Sequence, residues 1–147
     1  MSEFDELYQE IILDHYRSPR GAAVLDHVPD SLLHENPTCG DSIKIEITWH
    51  GNGTIAAVRF ENRGCAISTA SASMLTELVR DLAPGVARDL AARFIDALNG
   101  TGADDSLDDM GDLVAFRGVR AFPARVKCAT LAWHAFVDAL DSAGGVS

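Results

Sequence analysis

Residues 36–49 read Asn36-Pro37-Thr38-Cys39-Gly40-Asp41-Ser42-Ile43-Lys44-Ile45-Glu46-Ile47-Thr48-Trp49, a turn-forming segment followed by a strictly alternating one. Apolar side chains occupy positions 43, 45, 47 and 49, and polar side chains lie between them. This period of two predicts a half-buried antiparallel strand over residues 43–49. Cys39, the first of the chain's cysteines, precedes the strand, and Asp41 follows it two positions later. The stretch therefore predicts both the start of a sheet and a candidate site at its end.

Two further strands complete the predicted sheet. Residues 50–54, which include Gly51, Asn52 and Gly53, are typical of a turn, and residues 55–61 are expected to return as the second strand. A third, short strand is expected to include Gly64 and Cys65. The pattern predicts a three-stranded antiparallel meander with one face free to take helices.

Helical spacing, helix-capping residues and Pro or Gly breaks predict four to five helices around this sheet. They are expected at residues 3–17, from Ser68 or Thr69 to residue 81, at 86–98 after Pro84, at 113–118 and at 123–141. Residues 20–35 are interpreted as a loop, and the acidic, turn-rich residues 101–112 as a solvated insertion loop. The predicted fold class is α+β, with the helices packed on one face of the meander and a long C-terminal helix.

Length and charge restrict the class of protein. A chain of 147 residues is predicted to form one domain over residues 1–147. Its 22 acidic and 12 basic residues give a net charge of -10, which disfavours nucleic-acid binding. No apolar run approaches the ~20 residues that span a bilayer, so no membrane interaction is expected. The first six residues lack the basic-then-apolar order of a signal peptide, which favours a cytoplasmic location.

The three cysteines are the residues that most directly indicate the chemistry of the chain. An odd number in a reducing compartment disfavours a disulfide framework and leaves metal binding, catalysis or inert burial. Cys39, Cys65 and Cys128 each fall near the end of a predicted element, and Gly40 and Gly64 adjoin two of them, which permits tight turns and leaves room for a metal or a partner.

Asp41 adds a carboxylate to these thiols, and a set of three thiolates and one carboxylate suits tetrahedral zinc. No Cys-x-x-Cys pair is present, so spacing alone leaves both a shared metal site and inert burial open.

Three motifs in this order resemble one known family. They are Asn36-Pro37-Thr38-Cys39-Gly40-Asp41, Gly64-Cys65-Ala66-Ile67-Ser68 and Lys127-Cys128-Ala129-Thr130-Leu131-Ala132-Trp133. The chain resembles the IscU/NifU-N-terminal family of iron–sulfur cluster assembly proteins over almost its whole length. The resemblance implies a SufE/NifU-like fold.

Within this family the chain is most similar to the SufU-type branch. IscU-type scaffolds have a histidine before the third cysteine, where this chain has Lys127. They also have a Leu-Pro-Pro-Val-Lys chaperone-docking motif, where this chain reads Phe122-Pro123-Ala124-Arg125-Val126-Lys127. The interval between Cys65 and Cys128 is longer than in IscU and contains residues 101–112. These departures weigh against a chaperone interaction and a conventional scaffold role.

The resemblance implies a zinc-dependent sulfurtransferase whose partner is a SufS-type cysteine desulfurase. Cys39, Asp41, Cys65 and Cys128 would bind Zn²⁺, and a desulfurase histidine would replace Cys39, which would then accept persulfide sulfur. Arg125 would stabilise anionic sulfur or orient Asp41, its alternative being a surface arginine near a helix start.

Two other functions stay open. In the first, the same four ligands assemble a transient 2Fe–2S or 4Fe–4S cluster from iron and pass it to a downstream Fe–S assembly complex. In the second, the chain is a purely structural zinc module. The displaceable carboxylate of Asp41 weighs against a structural module, since structural zinc sites usually use Cys and His only.

Overall fold

The computed structural model describes residues 3–29, 33–36, 40–100, 107 and 110–144. Four α-helices, one 3₁₀ helix and three strands lie in these ranges. In chain order they are α1 (Glu3–Arg17), β1 (His34–Asn36), β2 (Asp41–Trp49), β3 (Ile55–Arg63), α2 (Ala66–Leu78), α3 (Pro84–Leu98), the 3₁₀ helix (Gly111–Ala121) and α4 (Pro123–Gly144). The predicted α+β class, with a three-stranded antiparallel meander and a long C-terminal helix, is confirmed.

The sheet has the order β1-β2-β3, and both pairings are antiparallel. At one end of β2, Asp41 lies opposite Asn36 and Ser42 lies opposite Arg63. The alternation of β2 is as predicted as far as Ile47: Ile43 and Ile45 are buried and Ile47 is partly buried against the core. The expectation that Trp49 continues this face is wrong, because the register shifts between Thr48 and Trp49 and the Trp49 side chain is exposed. Because side chains alternate with a period of two, Asp41 lies on the same face as Ile43.

The predicted third strand at Gly64 and Cys65 is wrong. β3 ends at Arg63, and the chain enters α2 with Cys65 as its N-cap residue in an extended conformation. The outer edge of β3 is instead occupied by the chain around Ala22, which forms an isolated parallel bridge with Phe60. The third strand is β1, which overlaps the end of the predicted loop at residues 20–35 and pairs with the other side of β2.

The predicted boundaries of α2 are also wrong. The helix begins at Ala66, and Ser68 and Thr69 are buried within it rather than capping it. It ends at Leu78 because the following residues turn to pair with the start of β3: Asp81 N–H donates to the Ile55 carbonyl at 2.7 Å. The 3₁₀ helix and α4 each extend beyond their predicted ranges by several residues.

Aromatic residues form the centre of the core between the helices. Trp133 of α4 is fully buried, with its ring centroid 5.2 Å from that of Phe94 and 6.4 Å from that of Phe136. Its indole N–H donates to the Ser71 hydroxyl at 3.1 Å, which links α4 to α2. The described helices and strands share this core, while one domain over residues 1–147 stays a prediction.

A buried histidine fixes α1 against the other helices. His15 is 2% exposed; its Nδ1 lies 2.7 Å from the Ser73 hydroxyl and its Nε2 lies 3.0 Å from the Asp112 carboxylate. Ser73 Oγ also accepts a hydrogen bond from the backbone N–H of Arg20. His15 therefore joins α1, α2 and the 3₁₀ helix. Nearby, a hydrogen bond from Arg20 and its positive charge lower the pKa of the Asp14 carboxyl.

Across the described ranges, no helix has both the length and the apolar character required to cross a membrane.

Replacing the core tryptophan tests this packing. Trp133→Ala is expected to lower the free energy of unfolding by about 3–5 kcal/mol, because it leaves a cavity between Phe94 and Phe136. Trp49→Ala is the matched control. Because Trp49 is 37% exposed at the end of β2, this substitution is expected to lower the free energy of unfolding by less than about half as much. Urea denaturation of metal-free protein measures both values. Equal losses in the two variants would contradict this assignment of the core.

Candidate metal centre

Three potential metal ligands lie at the ends of different elements. Asp41 is the first residue of β2, Cys65 is the N-cap residue of α2, and Cys128 lies in the first turns of α4. The pairing of Ser42 with Arg63 brings the end of β3, and hence Cys65, beside Asp41. Asp41 and Cys65 therefore lie together at one end of the sheet.

The packing of α4 on α2 brings in the third ligand. The Ser71 hydroxyl of α2 donates to the Ala129 carbonyl at 2.5 Å, directly after Cys128 in the chain. Cys128 is buried with 5% exposure, as is Asp41, whereas Cys65 is exposed. The group is thus anchored in the core and reaches solvent at Cys65.

The ligand atoms of the three residues have the spacing of a metal site. One carboxylate oxygen of Asp41 and the Sγ atoms of Cys65 and Cys128 all lie within 4.8 Å of one another. Cys65 Sγ lies 3.5 Å from Asp41 Oδ2. Zinc bonds of ~2.3 Å to sulfur and ~2.0 Å to oxygen, at tetrahedral angles, place such a pair of atoms about 3.5 Å apart. The donor atoms and the separation of Asp41 from Cys65 therefore fit zinc.

The fourth predicted ligand, Cys39, lies outside the described residues, so its role stays a prediction. The residues on either side of that segment are described: Gly40 N–H donates to the Asn36 carbonyl at 2.8 Å. Gly40 has φ +75°, and an added Cβ would meet nothing within 4 Å. Glycine is therefore required before Asp41 because of the positive φ, and not because neighbouring atoms leave no room for a side chain.

Gly64 is required for the opposite reason. A Cβ at this position would lie 2.9 Å from the Asp41 carboxylate carbon and 3.1 Å from one of its oxygens, and closer still to the Ser68 hydroxyl. Because real Cβ atoms do not approach other atoms so closely, only glycine allows the end of β3 to lie against Asp41.

Hydrogen bonds fix the turn that carries Cys65. Its carbonyl accepts from the Ser68 hydroxyl at 3.1 Å and from the Thr69 N–H at 3.1 Å. The Asn62 side-chain amide donates to the Thr69 hydroxyl at 3.0 Å, which joins β3 to α2. The Ser68 hydroxyl also lies 3.9 Å from Cys65 Sγ. The Cys65 thiol is thus held on a fixed backbone.

Sequence reasoning missed this role of Ser68, which it assigned to a helix cap. The available signal was its spacing: a serine three residues after Cys65, at the start of a helix, can bond back to the carbonyl of that residue.

Arg125 lies three residues before Cys128 in α4 and lines a cleft of about 720 Å³ between α1 and the 3₁₀ helix. Its guanidinium lies over the ring of Phe122, 4.9 Å from the ring centroid, and Phe122 is 52% exposed. Ile12 and Ile67 also line the cleft. Ile67 is two residues after Cys65, so the cleft begins beside the exposed thiol. A role for Arg125 in orienting Asp41 or stabilising anionic sulfur stays a prediction.

Comparison with known proteins gives consistent matches. Residues 7–129 match the sequence family described as the NifU-like N-terminal domain. The zinc-dependent sulfurtransferase SufU of Bacillus subtilis (strain 168) is 42% identical over 136 residues, which cover 91% of this chain and 89% of that protein. The iron–sulfur cluster assembly scaffold protein IscU of Streptococcus pyogenes serotype M1 is 34% identical over 140 residues, covering 95% of this chain and 86% of that protein.

A solved structure has the same fold. The crystal structure of a candidate iron–sulfur cluster assembly scaffold protein for the SUF system, from Fervidobacterium islandicum AW-1, superposes with a TM-score of 0.71 at 27% identity. The match covers 95% of this chain and 96% of that one.

A substitution at Gly64 tests the close approach. Gly64→Ala is expected to weaken cobalt(II) binding at least tenfold, because the new methyl group displaces the Asp41 carboxylate from the centre. Gly85→Ala in α3 is the matched control, since a Cβ there meets nothing within 4 Å, and it should leave binding unchanged. Absorption titration with cobalt(II) measures both affinities. Binding of wild-type strength in Gly64→Ala would show that Asp41 is not a ligand.

Proposed function

We propose, from the premise that this chain belongs to the NifU-like N-terminal domain family, that it acts in iron–sulfur cluster assembly as a zinc-dependent sulfurtransferase. The observation that carries the proposal is the convergence of Asp41, Cys65 and Cys128, whose ligand atoms lie within 4.8 Å of one another. Similarity to the Bacillus subtilis zinc-dependent sulfurtransferase over most of both chains supports it. The proposed donor of sulfur is a SufS-type cysteine desulfurase.

Asp41, Cys65 and Cys128, together with Cys39, would hold the zinc ion. Zinc bound by such ligands keeps thiols deprotonated at neutral pH, and a thiolate is the reactive form of cysteine. A carboxylate is a harder and more exchangeable zinc ligand than a thiolate. A Cys₃Asp set therefore suits a reactive centre better than a purely structural one.

Cys39 is the proposed sulfur acceptor. Its thiolate would attack the terminal sulfur of the desulfurase persulfide, so that a new S–S bond forms at Cys39 as the S–S bond of the donor breaks. The desulfurase cysteine leaves as a thiolate, and the transferred sulfur keeps its oxidation state, so that no external oxidant or reductant is consumed. Asp41, Cys65 and Cys128 remain in place as the anchored part of the site.

The surface beside the centre suits a partner with acidic and apolar groups. Between Asp112 and Asp138 the sequence contains four basic residues and no acidic ones, in a chain of net charge -10: Arg117, Arg120, Arg125 and Lys127. The exposed ring of Phe122 and the adjoining cleft offer apolar contact area in the same region. Local positive charge on an acidic protein steers a complementary partner to that face.

The alternative is a scaffold that assembles a cluster on the same ligands, and similarity to the Streptococcus pyogenes scaffold protein supports it. Lys127 weighs against this alternative. It is exposed, it directly precedes Cys128, and its ammonium group is a hydrogen-bond donor rather than a metal ligand.

A desulfurase assay tests the proposed function. Zinc-loaded protein is expected to raise the turnover of a SufS-type desulfurase with cysteine, and zinc-stripped protein and Cys39→Ala are expected to lose this effect. Alanine production and metal content are measured together. Unchanged desulfurase kinetics would leave only the structural zinc module. A brown protein that forms a stable cluster and transfers it to an apo-acceptor would favour the scaffold.

Arg125→Ala tests the proposed partner surface. The half-saturating concentration for desulfurase stimulation is expected to rise about tenfold, equivalent to ~1.4 kcal/mol, because the variant loses the guanidinium that lines the cleft. Zinc content should not change. Lys127→Ala is the matched control, since it removes the same charge from an exposed neighbour in α4. Equal effects in the two variants would show that Arg125 contributes only its positive charge.

A further inference from the structure

We propose that Ser68 is a positioning residue whose hydroxyl donates a hydrogen bond to the metal-bound thiolate of Cys65, and so keeps Cys65 as a resident ligand rather than a sulfur acceptor. The inference rests on the proposed zinc site and assigns a role to a residue outside the ligand set.

The position of Ser68 leaves its hydroxyl few alternatives. Ser68 is 4% exposed, and its Oγ lies 3.1 Å from the Cys65 carbonyl oxygen and 3.9 Å from Cys65 Sγ. A Cβ on Gly64 would collide with this oxygen, so the surrounding backbone encloses it closely. Two acceptors of the same residue, the carbonyl oxygen and the Sγ of Cys65, therefore lie near the hydroxyl.

The hydroxyl can turn from one acceptor to the other without leaving a buried group unsatisfied. The Cys65 carbonyl also accepts the Thr69 N–H at 3.1 Å, so it keeps a hydrogen bond when Ser68 turns away. A thiolate is a stronger acceptor than a thiol, because hydrogen bonds to ionised groups are about twice as strong as neutral ones. Loss of the Cys65 proton on metal binding therefore favours donation to Sγ.

Such a hydrogen bond has a chemical consequence. It withdraws electron density from sulfur, which lowers the nucleophilicity of the thiolate while leaving it bound. Cys65 needs this restraint because it is exposed, whereas Cys128 is protected by burial. Groups that hydrogen-bond to metal ligands typically change metal affinity 10–100-fold when they are removed.

The matched pair of variants is Ser68→Ala and Ser73→Ala. Both remove a fully or nearly buried hydroxyl from α2, but Ser73 bonds to His15 and to the Arg20 backbone, away from the ligands. Ser68→Thr keeps a hydroxyl at the position and serves as the rescue. Melting of the metal-free proteins reports any general loss of stability.

Two readouts respond to the sulfur atom itself. In cobalt(II)-loaded Ser68→Ala, the thiolate-to-cobalt charge-transfer band is expected to move to lower energy, while Ser73→Ala and Ser68→Thr resemble wild type. In the zinc-loaded Cys39→Ala background, alkylation of Cys65 by iodoacetamide, followed by peptide mass spectrometry, is expected to be about tenfold faster when Ser68 is alanine. An unchanged band together with an unchanged alkylation rate would overturn the inference.

A crystal structure of the zinc-loaded wild-type protein provides a test that needs no variant. A Ser68 Oγ to Cys65 Sγ separation well below 3.9 Å would support the inference, and a hydroxyl still directed at the carbonyl would overturn it. Failure of the wild-type protein to bind zinc or cobalt would overturn the proposed function as well. If the wild-type protein and Ser68→Ala both bind metal normally while the band and the alkylation rate are unchanged, the inference about Ser68 fails and the proposed function is unaffected.

Discussion

The close approach of Gly64 to the Asp41 carboxylate is the constraint on which the rest of the site depends. It follows from the register of the sheet, in which Ser42 lies opposite Arg63 and Gly64, the first residue after β3, lies against Asp41. A slip of one residue in β2 would turn Asp41 to the opposite face and expose its isoleucines. The hydrophobic alternation that stabilises the sheet therefore also orients the carboxylate.

The second half of the site depends on the packing of α2 against α4. Small hydroxyl-bearing residues dominate the buried part of α2, and Ser71 bonds both to the Ala129 carbonyl and to the Trp133 indole. Because Cys128 directly precedes Ala129, this contact also fixes the position of Cys128. Core packing and metal-site geometry are consequently coupled, since a shift of α4 on α2 would also move a ligand.

Patterns that act locally could be predicted from the sequence. The alternation of residues 43–49 indicated β2, and the spacing of apolar residues indicated α1 and α4. The convergence of Asp41, Cys65 and Cys128 was predicted from their places at element ends, and the ligand atoms do lie together. The roles of these residues as ligands are still predictions, as is that of Cys39, which lies outside the described residues. Most of the acidic segment, at 101–106, 108 and 109, lies outside them too.

Features set by distant contacts could not be predicted. β1 has three residues, all of them polar or charged, and it exists because β2 offers an edge to pair with. The start of α2 was misplaced because the end of β3 fixes it, whereas Ser68 and Thr69 have the residue types of a local cap. The position of the Arg125 guanidinium over the Phe122 ring is a contact that sequence spacing alone does not reveal.

Cys39 as the sulfur acceptor is a proposal, and the surroundings of the other two thiols support it. Cys128 is buried in α4, and Cys65 is on a turn whose carbonyl accepts two hydrogen bonds, so both thiols are anchored by ordered structure. Cys39 belongs to the short connection between β1 and β2, whose flanking residues Asn36 and Gly40 are already joined by their own hydrogen bond. A thiol that must leave the metal, react and return is therefore best placed on this connection, while the ligands anchored by secondary structure retain the ion.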